Sequence, residues 1–592
     1  MTSVEEPTSF EDSRRLTGPN LFFARPGAVL EALGVDCVRA DLIGQWRIHA
    51  RAMSAELGWP QVELRARAHA KGCSLALTAP VDQWFSATEV NEWAWQAARG
   101  EAELFAPGHA LATDADSARH TLRLFARAER KPALMALLDA AHARDVPALL
   151  DDDLLTLGSG CAGRSWPLDA LPAVEQVRWS DLHGIPTALV TGSNGKTTTV
   201  RLLAAMLRAH GLRTAFSCTD GVFRDGEMFD SGDYSGPAGA RTVLRMDDAE
   251  AAVLETARGG ILRRGLAVDH CDAAIVTNIS VDHFGEYGID DLDGLTQAKL
   301  VVAHAVCEGG ALVLNADDAQ LLAHAGALQC PLAWFALDHE HPRLVAARAQ
   351  AQSTCAVHHG SLLLSHADAS HDLGVVADMP LTLDGLARYN IANIAGASLL
   401  ATVLGVPAQT IASVLAEFGR SHADNPGRLE TWRVGGISVL MDYAHNPDGL
   451  QGLLDIAQAL RGAGRLGLIL GQAGNRGDAQ IRELAAVAAS VSPELIVLKD
   501  MEGYLRGREQ NEVANLLRDE LMARGMDADR LPMCSTDMEA ARHALGWARA
   551  GDVLVLPIHA PRARAALRGC LDQLERDGWQ AGGPLAMNPA HD

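Results

Sequence analysis

The sequence predicts an α/β protein of several domains, with a parallel sheet at its centre, an α/β domain after it and a smaller α/β section before it. Three observations predict this. From about Ile185 onward, short apolar runs alternate with amphipathic stretches, the pattern of parallel strands covered by helices. A glycine-rich turn joins the first of these strands to a helix. Two polar, proline-bearing breaks, near 164–184 and 420–432, divide the chain into three.

Taken in order, residues 1–170 form the first section. VELRARAH and CSLALTAP read as strands among helices, and no motif there carries assignable chemistry. The break RSWPLDALPAVEQVRWSDLHG has two prolines and weak periodicity. The central section, 185–425, opens with the strand IPTALV. The helix KTTTVRLLAAMLRAHG follows, with Val200, Leu203 and Leu207 on one face and Gly211 as its stop. Further strands are expected at Ala251–Glu255, Ala273–Asn278 and Ala311–Asn315. After the turn SHADNPGRLE, the section 426–580 supplies Ile437–Asp442, Leu466–Gly471, Glu494–Lys499 and Asp552–Pro557, with helices such as IRELAAVAASV between them. The closing AGGPLAMNPAHD reads as a loose tail.

Composition bounds the function. The chain has 592 residues, 48% hydrophobic and 21% charged, as an ordinary globular protein of about four domains does. Its 51 Lys+Arg against 74 Asp+Glu leave a net charge of −23. That balance argues against general binding to nucleic acid or an anionic membrane, since phosphate backbones select basic patches. No apolar window reaches the length of a spanning helix, and the acidic start MTSVEEPTSFEDSRR is unlike a signal peptide. The ten scattered cysteines include no C-x-x-C pair and suit neither zinc nor a disulfide framework, so reduced thiols and a cytoplasmic location are expected.

The chemistry concentrates at Thr191-Gly192-Ser193-Asn194-Gly195-Lys196-Thr197-Thr198, between strand and helix. Glycines let the backbone curl so that successive N–H groups face phosphate oxygens, and the helix start adds partial positive charge. Lys196 would reach the outer phosphates and Thr197 would ligate Mg²⁺. The spacing departs from G-x-x-x-x-G-K-[ST], because Val190 stands where the first glycine belongs. Glu255 ends a strand ahead of a flexible Ala-Arg-Gly-Gly stretch, where the C-terminal edge of a parallel sheet can hold a metal.

TGSNGKTT resembles the ATP loop of the Mur ligase superfamily, and the departure is that family's habit. LETARGGILRRG, VTNISVDHFGEYG, QAKLVV, LNADD, RYNIANIAGA, NPGRLE, DYAHNPDGL and GQAGNRGD follow in the family's order. LETARGGILRRG, GDYSGPAGAR and EGYLRGRE look most like the cyanophycin synthetase branch, as does the early RRLTGPNLFF. That branch's ATP-grasp half, which would lie between the first and central sections, is not found there.

The resemblance implies a Mur-ligase-like central domain and a Rossmann-like C-terminal domain. It also implies an ATP-dependent amide ligase that activates a carboxylate as an acyl phosphate. ATP and Mg²⁺ are the implied cofactors. Gly192, Asn194, Gly195, Lys196, Thr197 and Thr198 would cradle the phosphates. Glu255 and His283 would bind Mg²⁺, and Lys299, otherwise an ordinary helix lysine, corresponds to a lysine often carbamylated. Asn390 would contact adenine, Arg428 would reach the nucleotide from the junction, and Asp442 would bind ribose. His445, Arg476 and Asp478 would lie near the amine. The implied partners are a small-molecule or peptide carboxylate and an amino acid such as arginine or lysine. A separate ligase could supply the acceptor, and an oligomer is compatible with the resemblance. Competing readings are a muramyl-peptide or folylpolyglutamate-type ligase, a Mur-like scaffold subunit, and a P-loop kinase or GTPase. Retention of Lys196, Thr197, Glu255, His283 and Lys299 opposes the scaffold, and the missing kinase signatures oppose the kinase.

Overall fold

The computed structural model describes residues 10–59, 61–100, 115–281, 284–501 and 503–585. The first sheet contains β1 (Phe10–Leu16), β2 (Gly27–Leu33), β3 (Leu64–His69) and β4 (Gly72–Thr78), antiparallel in the order β1-β2-β4-β3. Helices α1 (Ala40–Glu56) and α2 (Trp84–Arg99) pack together over a core that includes Leu30, Trp46, Leu75, Leu77 and Trp95. Trp46 Nε1 donates to Asn91 Oδ1 at 2.8 Å, so the buried indole keeps its hydrogen bond. After α3 (Ala115–Glu129) and α4 (Pro132–His142), strands β5 (Ala148–Leu150), β6 (Leu154–Leu157) and β7 (Arg164–Pro167) make a small antiparallel sheet.

The central sheet has eleven strands. Its core is parallel: β8 (Thr187–Thr191), β9 (Thr214–Cys218), β12 (Ala251–Glu255), β13 (Cys271–Val276), β14 (Val306–Asn315), β15 (Leu332–Asp338) and β16 (Thr354–His358). Both edges are antiparallel: β10 (Gly221–Arg224) and β11 (Glu227–Ser231) on one side, β17 (Ser361–His366) and β18 (Ala369–Val375) on the other. The order is β11-β10-β9-β12-β8-β13-β14-β15-β16-β17-β18, so the sheet is mixed and not purely parallel. Sheet faces are covered by α5 (Lys196–Ala209), α6 (Pro237–Leu244), α7 (Arg258–Arg264), α8 (Leu292–Leu300), α9 (Ala319–His324), α10 (Pro342–Ala349), α11 (Arg388–Val403) and α12 (Ala408–Leu415). A Cβ on Gly396 of α11 would stand 2.6 Å from Ile275 Cδ1, so a larger residue there would have to displace that buried side chain. The first sheet docks on α7, with Thr17 N donating to Arg264 O at 2.7 Å and Arg14 Nε to Leu262 O at 3.1 Å.

The last sheet runs β19-β20-β24-β21-β22-β23. Its strands are β19 (Glu430–Val434), β20 (Ile437–Asp442), β21 (Leu466–Leu470), β22 (Leu495–Lys499), β23 (Met533–Cys534) and β24 (Val553–Pro557). Only the β19–β20 pairing is antiparallel. Helices α13 (Pro447–Arg461), α14 (Asp478–Ser490), α15 (Glu512–Ala523), α16 (Asp537–Trp547) and α17 (Pro561–Arg576) flank it. Among the described residues no helix is long and apolar enough to cross a membrane, and all ten cysteines are free. Of the expected tail, 581–585 is packed down, with Ala581 N donating to Gly435 O at 3.0 Å and Leu585 against the C-terminal core, and the rest lies outside the described residues.

Candidate active site

Strands β12 and β13 flank β8, with Glu255 paired to Val190 and Val276 paired to Thr191. The three strand ends therefore open onto one crevice, where the loop 192–195, Glu255 and Asn278 meet. The loop is tightly built. A Cβ on Gly192 (φ 145°) would fall 1.8 Å from Thr277 Oγ1, and one on Gly195 (φ 84°) 2.1 Å from Asn393 Oδ1. Asn278 holds the loop open, since its carbonyl accepts from Ser193 N and its Oδ1 from Asn194 N, both at 2.9 Å. Gly195 caps α5 with no side-chain cap, so its first-turn N–H groups lack partners within the helix, the feature that lets helix starts meet anions.

Lys196 Nζ folds back to the carbonyls of Gly192 (3.2 Å) and Ser193 (3.1 Å). Lys299, 3% exposed on α8, donates to the same Gly192 carbonyl at 2.7 Å. Glu255 is 1% exposed and accepts from Thr197 Oγ1 and Thr219 Oγ1, each at 2.8 Å. The donors beside Glu255 are hydroxyl and carboxylate oxygens, the set that a hard cation such as Mg²⁺ prefers.

The C-terminal section closes the crevice. Asn446 Nδ2 donates to Asn194 Oδ1 at 2.9 Å, and Asn194 Nδ2 donates to Asp448 Oδ2 at 2.9 Å. Arg428 Nη2 donates to Thr197 Oγ1 at 3.3 Å, and its guanidinium lies 4.2 Å from the Tyr443 ring centre. Its Nε is buried without a hydrogen-bond partner. Burial works against the Arg428 charge, but Asp220, Tyr443, Asp442 and Glu255 outweigh it and hold the group protonated. Burial pushes the Asp442 carboxyl up, opposed by Arg428 and by backbone N–H groups, of which Leu429 N donates to Oδ2 at 2.6 Å. His559 supports the turn through Nε2 on Ala444 O at 3.0 Å; burial, and then Lys499, holds that imidazole neutral.

A cavity of about 340 Å³ occupies the crevice. It brings together Asn194, Gly195, Lys196, Thr197, Thr198, Glu255, Asn390, Arg428, Asp442 and His445. Gly192 and Lys299 lie just behind its loop. The Asn390 side chain is 2% exposed and donates to Leu381 O at 2.9 Å. Arg476 and Asp478 do not line the cavity. Arg476 is buried, and the Asp478 carboxylate accepts from Arg508 Nη2 at 2.7 Å. His283 lies outside the described residues. Sequence reasoning missed Thr219, Asn278, Asn446, Asp448 and Asn393. Asn278 ends a recognised strand and Asn446 sits in DYAHNP, so position at a strand end or turn was the available signal.

Residues 190–401 match the Mur ligase middle domain, and residues 427–557 match the glutamate ligase domain of Mur ligases. The chain belongs to the Mur ligase family. A cyanophycin synthetase of Synechocystis sp. is 37% identical over 335 residues, 56% of this chain and 38% of that one. One from Nostoc sp. is 35% identical over 381 residues, 64% of this chain and 42% of that one. The matches thus span roughly two fifths of those relatives' length. A UDP-N-acetylmuramoyl-L-alanyl-D-glutamate–2,6-diaminopimelate ligase of Chlorobaculum tepidum is 29% identical over 401 residues, 64% of this chain and 72% of that one. A solved Yersinia pestis folylpolyglutamate synthase/dihydrofolate synthase, complexed with AMPPNP and Mn ion, aligns with TM-score 0.46 and 18% identity. That alignment covers 65% of this chain and 89% of that one.

Proposed function

We propose that the chain is an ATP-dependent amide ligase that joins an aspartyl-peptide carboxylate to the amine of arginine or lysine, acting in the cytoplasm. The observation that carries the proposal is one cavity lined from two sheets: Lys196, Thr197 and Glu255 on one side, Arg428, Asp442 and His445 on the other. ATP would lie between them, its phosphates on the α5 start and Lys196, its ribose toward Asp442 and its base toward Asn390. Mg²⁺ held by Thr197 and Glu255, with His283 as a further ligand, would neutralise the phosphate charge. The division into 1–170, 185–425 and 426–580 belongs to the same proposal, and the separate sheets support it.

A carboxylate oxygen would attack the γ-phosphorus and ADP would leave, giving an acyl phosphate. The amine would then attack the carbonyl carbon, expel phosphate and lose a proton. Bringing an anionic nucleophile to an anionic phosphoryl group requires cations at the junction, which Lys196 and Arg428 supply.

A second cavity, of about 470 Å³, supports the acceptor assignment. It lies between the first sheet and the loops around Asp233–Gly239 and Gly259–Arg264, with Arg15, Arg241, Arg263, Asp151 and Asp233 in its wall. Its mixed charge suits a peptide bearing both carboxylate and basic side chains. Arg241 Nε is buried without a partner, while its Nη2 donates to Thr17 Oγ1 at 3.0 Å.

Phosphate release from ATP and Mg²⁺ tests the reading. Release that requires both a carboxylate and an amine supports it. Release without them would make the chain a nucleotide hydrolase, and none with any pair would leave a binding subunit.

A further inference from the structure

A cluster of imidazoles lies outside the lining of both cavities, where β15 and β16 of the central sheet end. Parallel neighbours β15 and β16 end together, and His339 N donates to Val357 O at 3.0 Å as the first strand leaves the sheet. His339 and His358 are thereby set side by side, with ring centres 4.7 Å apart and planes at 74°. Glu340 follows on the loop, its backbone N donating to Asp338 Oδ1 at 2.9 Å. His341 turns away, because its Nδ1 caps α10 by accepting from Arg343 N at 3.2 Å. On the second strand, His359 (φ 50°) and Gly360 (φ 86°) make the tight turn into β17 that fixes His358 at the rim.

One ligand atom each from His339, Glu340 and His358 lies within 4.8 Å of the others, and His358 Nδ1 is 4.0 Å from Glu340 Oε1. A four-coordinate ion with bonds of about 2.0–2.1 Å holds its ligand atoms ~3.4 Å apart. Side-chain rotation of these partly exposed residues, two on the β15–α10 loop and one at the end of β16, covers that difference. We propose that His339, Glu340 and His358 form a binding site for a divalent ion of the zinc class, with water in the fourth position. Two imidazoles with one carboxylate select Zn²⁺, Co²⁺ or Ni²⁺ over Mg²⁺, which prefers an all-oxygen shell. The site is distinct from the Glu255 region, since none of its three residues lines the crevice. β8 and β15 are three strand steps apart, which is roughly 14 Å at the usual spacing. The bound ion would clip the β15–α10 loop to the β16–β17 turn.

Two of the ligands are half-buried and Glu340 is exposed, so substitutions there leave the core intact. The protein is stripped with chelator and titrated calorimetrically with Zn²⁺ in excess Mg²⁺, alongside H339A/H358A and E340Q. Wild type is expected to bind one more equivalent of Zn²⁺ than H339A/H358A, and E340Q to bind it at least roughly tenfold more weakly. Zinc should raise the thermal midpoint of the wild type and not that of the double variant. In a parallel Co²⁺ titration the four-coordinate visible band should appear only when both histidines are present. Equal stoichiometry and affinity in wild type and H339A/H358A would overturn the proposal.

Discussion

Thr197 Oγ1 donates to Glu255 Oε2 at 2.8 Å, tying the first turn of α5 to the end of β12. The hydroxyl and the carboxylate come from sequence positions 58 residues apart and meet because β8 and β12 are neighbours in the sheet. In the proposed reaction this pair holds the metal and Lys196 faces the phosphates. Lys196→Ala and Glu255→Gln are therefore expected to lower turnover by about 10²–10³-fold, the usual cost of one well-placed electrostatic contact. Circular dichroism should show an intact fold, because neither change removes apolar core. Near-normal turnover in either variant would move the site elsewhere.

Lys299 is buried behind the loop, with its Nζ 2.7 Å from the Gly192 carbonyl. Lys299→Ala should abolish most ligation. If the side chain works as a carbamate, added short carboxylic acids should restore part of the activity, as they replace the missing carboxylate-like group. Full activity in the variant would remove Lys299 from the mechanism.

Asp220 stitches the two sides of the crevice together: Oδ1 accepts from Arg564 at 3.0 Å and Oδ2 from Arg201 at 3.4 Å. Burial works to raise its pKa, but Arg428, Arg564 and Arg201 together hold the carboxyl below its ordinary value. Asp220→Asn leaves those cations facing a neutral group. The expected destabilisation is about 3–5 kcal/mol by denaturant titration, as for other broken buried pairs. ATP affinity should fall with it, since Arg428, one of those three arginines, lines the cavity.

The parallel strands were legible because β12, β13, β20 and β22 are apolar runs buried on both faces. The edge hairpins were not. Every residue of Glu227–Ser231 is exposed, and Ala369–Val375 opens on Ala-Ser-His-Asp, so neither carries an apolar period. Their pairing is decided by the neighbouring strand and by turns. The loop, Glu255 and DYAHNP stand out in the sequence because each ends or follows an apolar strand run, and the fold brings them to the wall of one cavity. Asp478 shows the limit. Its charge was visible, but Arg508, 30 residues on, takes its carboxylate through a fold contact that no local pattern announces.

Glu92 on α2 is 3% exposed, and burial pushes its carboxyl up to about 7. Glu89 is pushed to about 8, by burial and then by the charge of Glu92. Both folded values lie above the ordinary 4.5, so the stability they contribute is complete below that pH. It is lost as pH rises toward 8, when the folded state must ionise buried groups. Glu92→Gln should flatten this slope and stabilise the first section by about 1–3 kcal/mol on the alkaline side. Urea unfolding followed by tryptophan fluorescence checks it, since Trp46, Trp93 and Trp95 lie in the same core. An unchanged slope would place the pH dependence elsewhere.

The last prediction concerns the substrates. A net charge of −23 is too diffuse to select them, because exposed charges more than about 10 Å apart are largely screened. Selection has to come from the cavity walls. In the second cavity Arg15 pairs with Asp152 and Asp151 with Arg245, which leaves Arg241, Arg263, Arg264 and Asp233 to meet a carboxylate and a basic side chain on one ligand. Incubation with ATP, an aspartyl peptide and arginine or lysine should therefore give one amide bond per ADP and phosphate formed, identified by mass spectrometry. Arg241→Ala should raise KM for the peptide about tenfold, equivalent to ~1.4 kcal/mol, with little change in kcat. It removes a guanidinium whose Nε is buried and unpartnered beside that cavity and leaves Lys196 and Glu255 in place. Product formed only with a muramyl peptide or a folate would overturn the substrate assignment and keep the ligase. A tenfold fall in kcat with KM unchanged would instead put Arg241 at the reacting carboxylate.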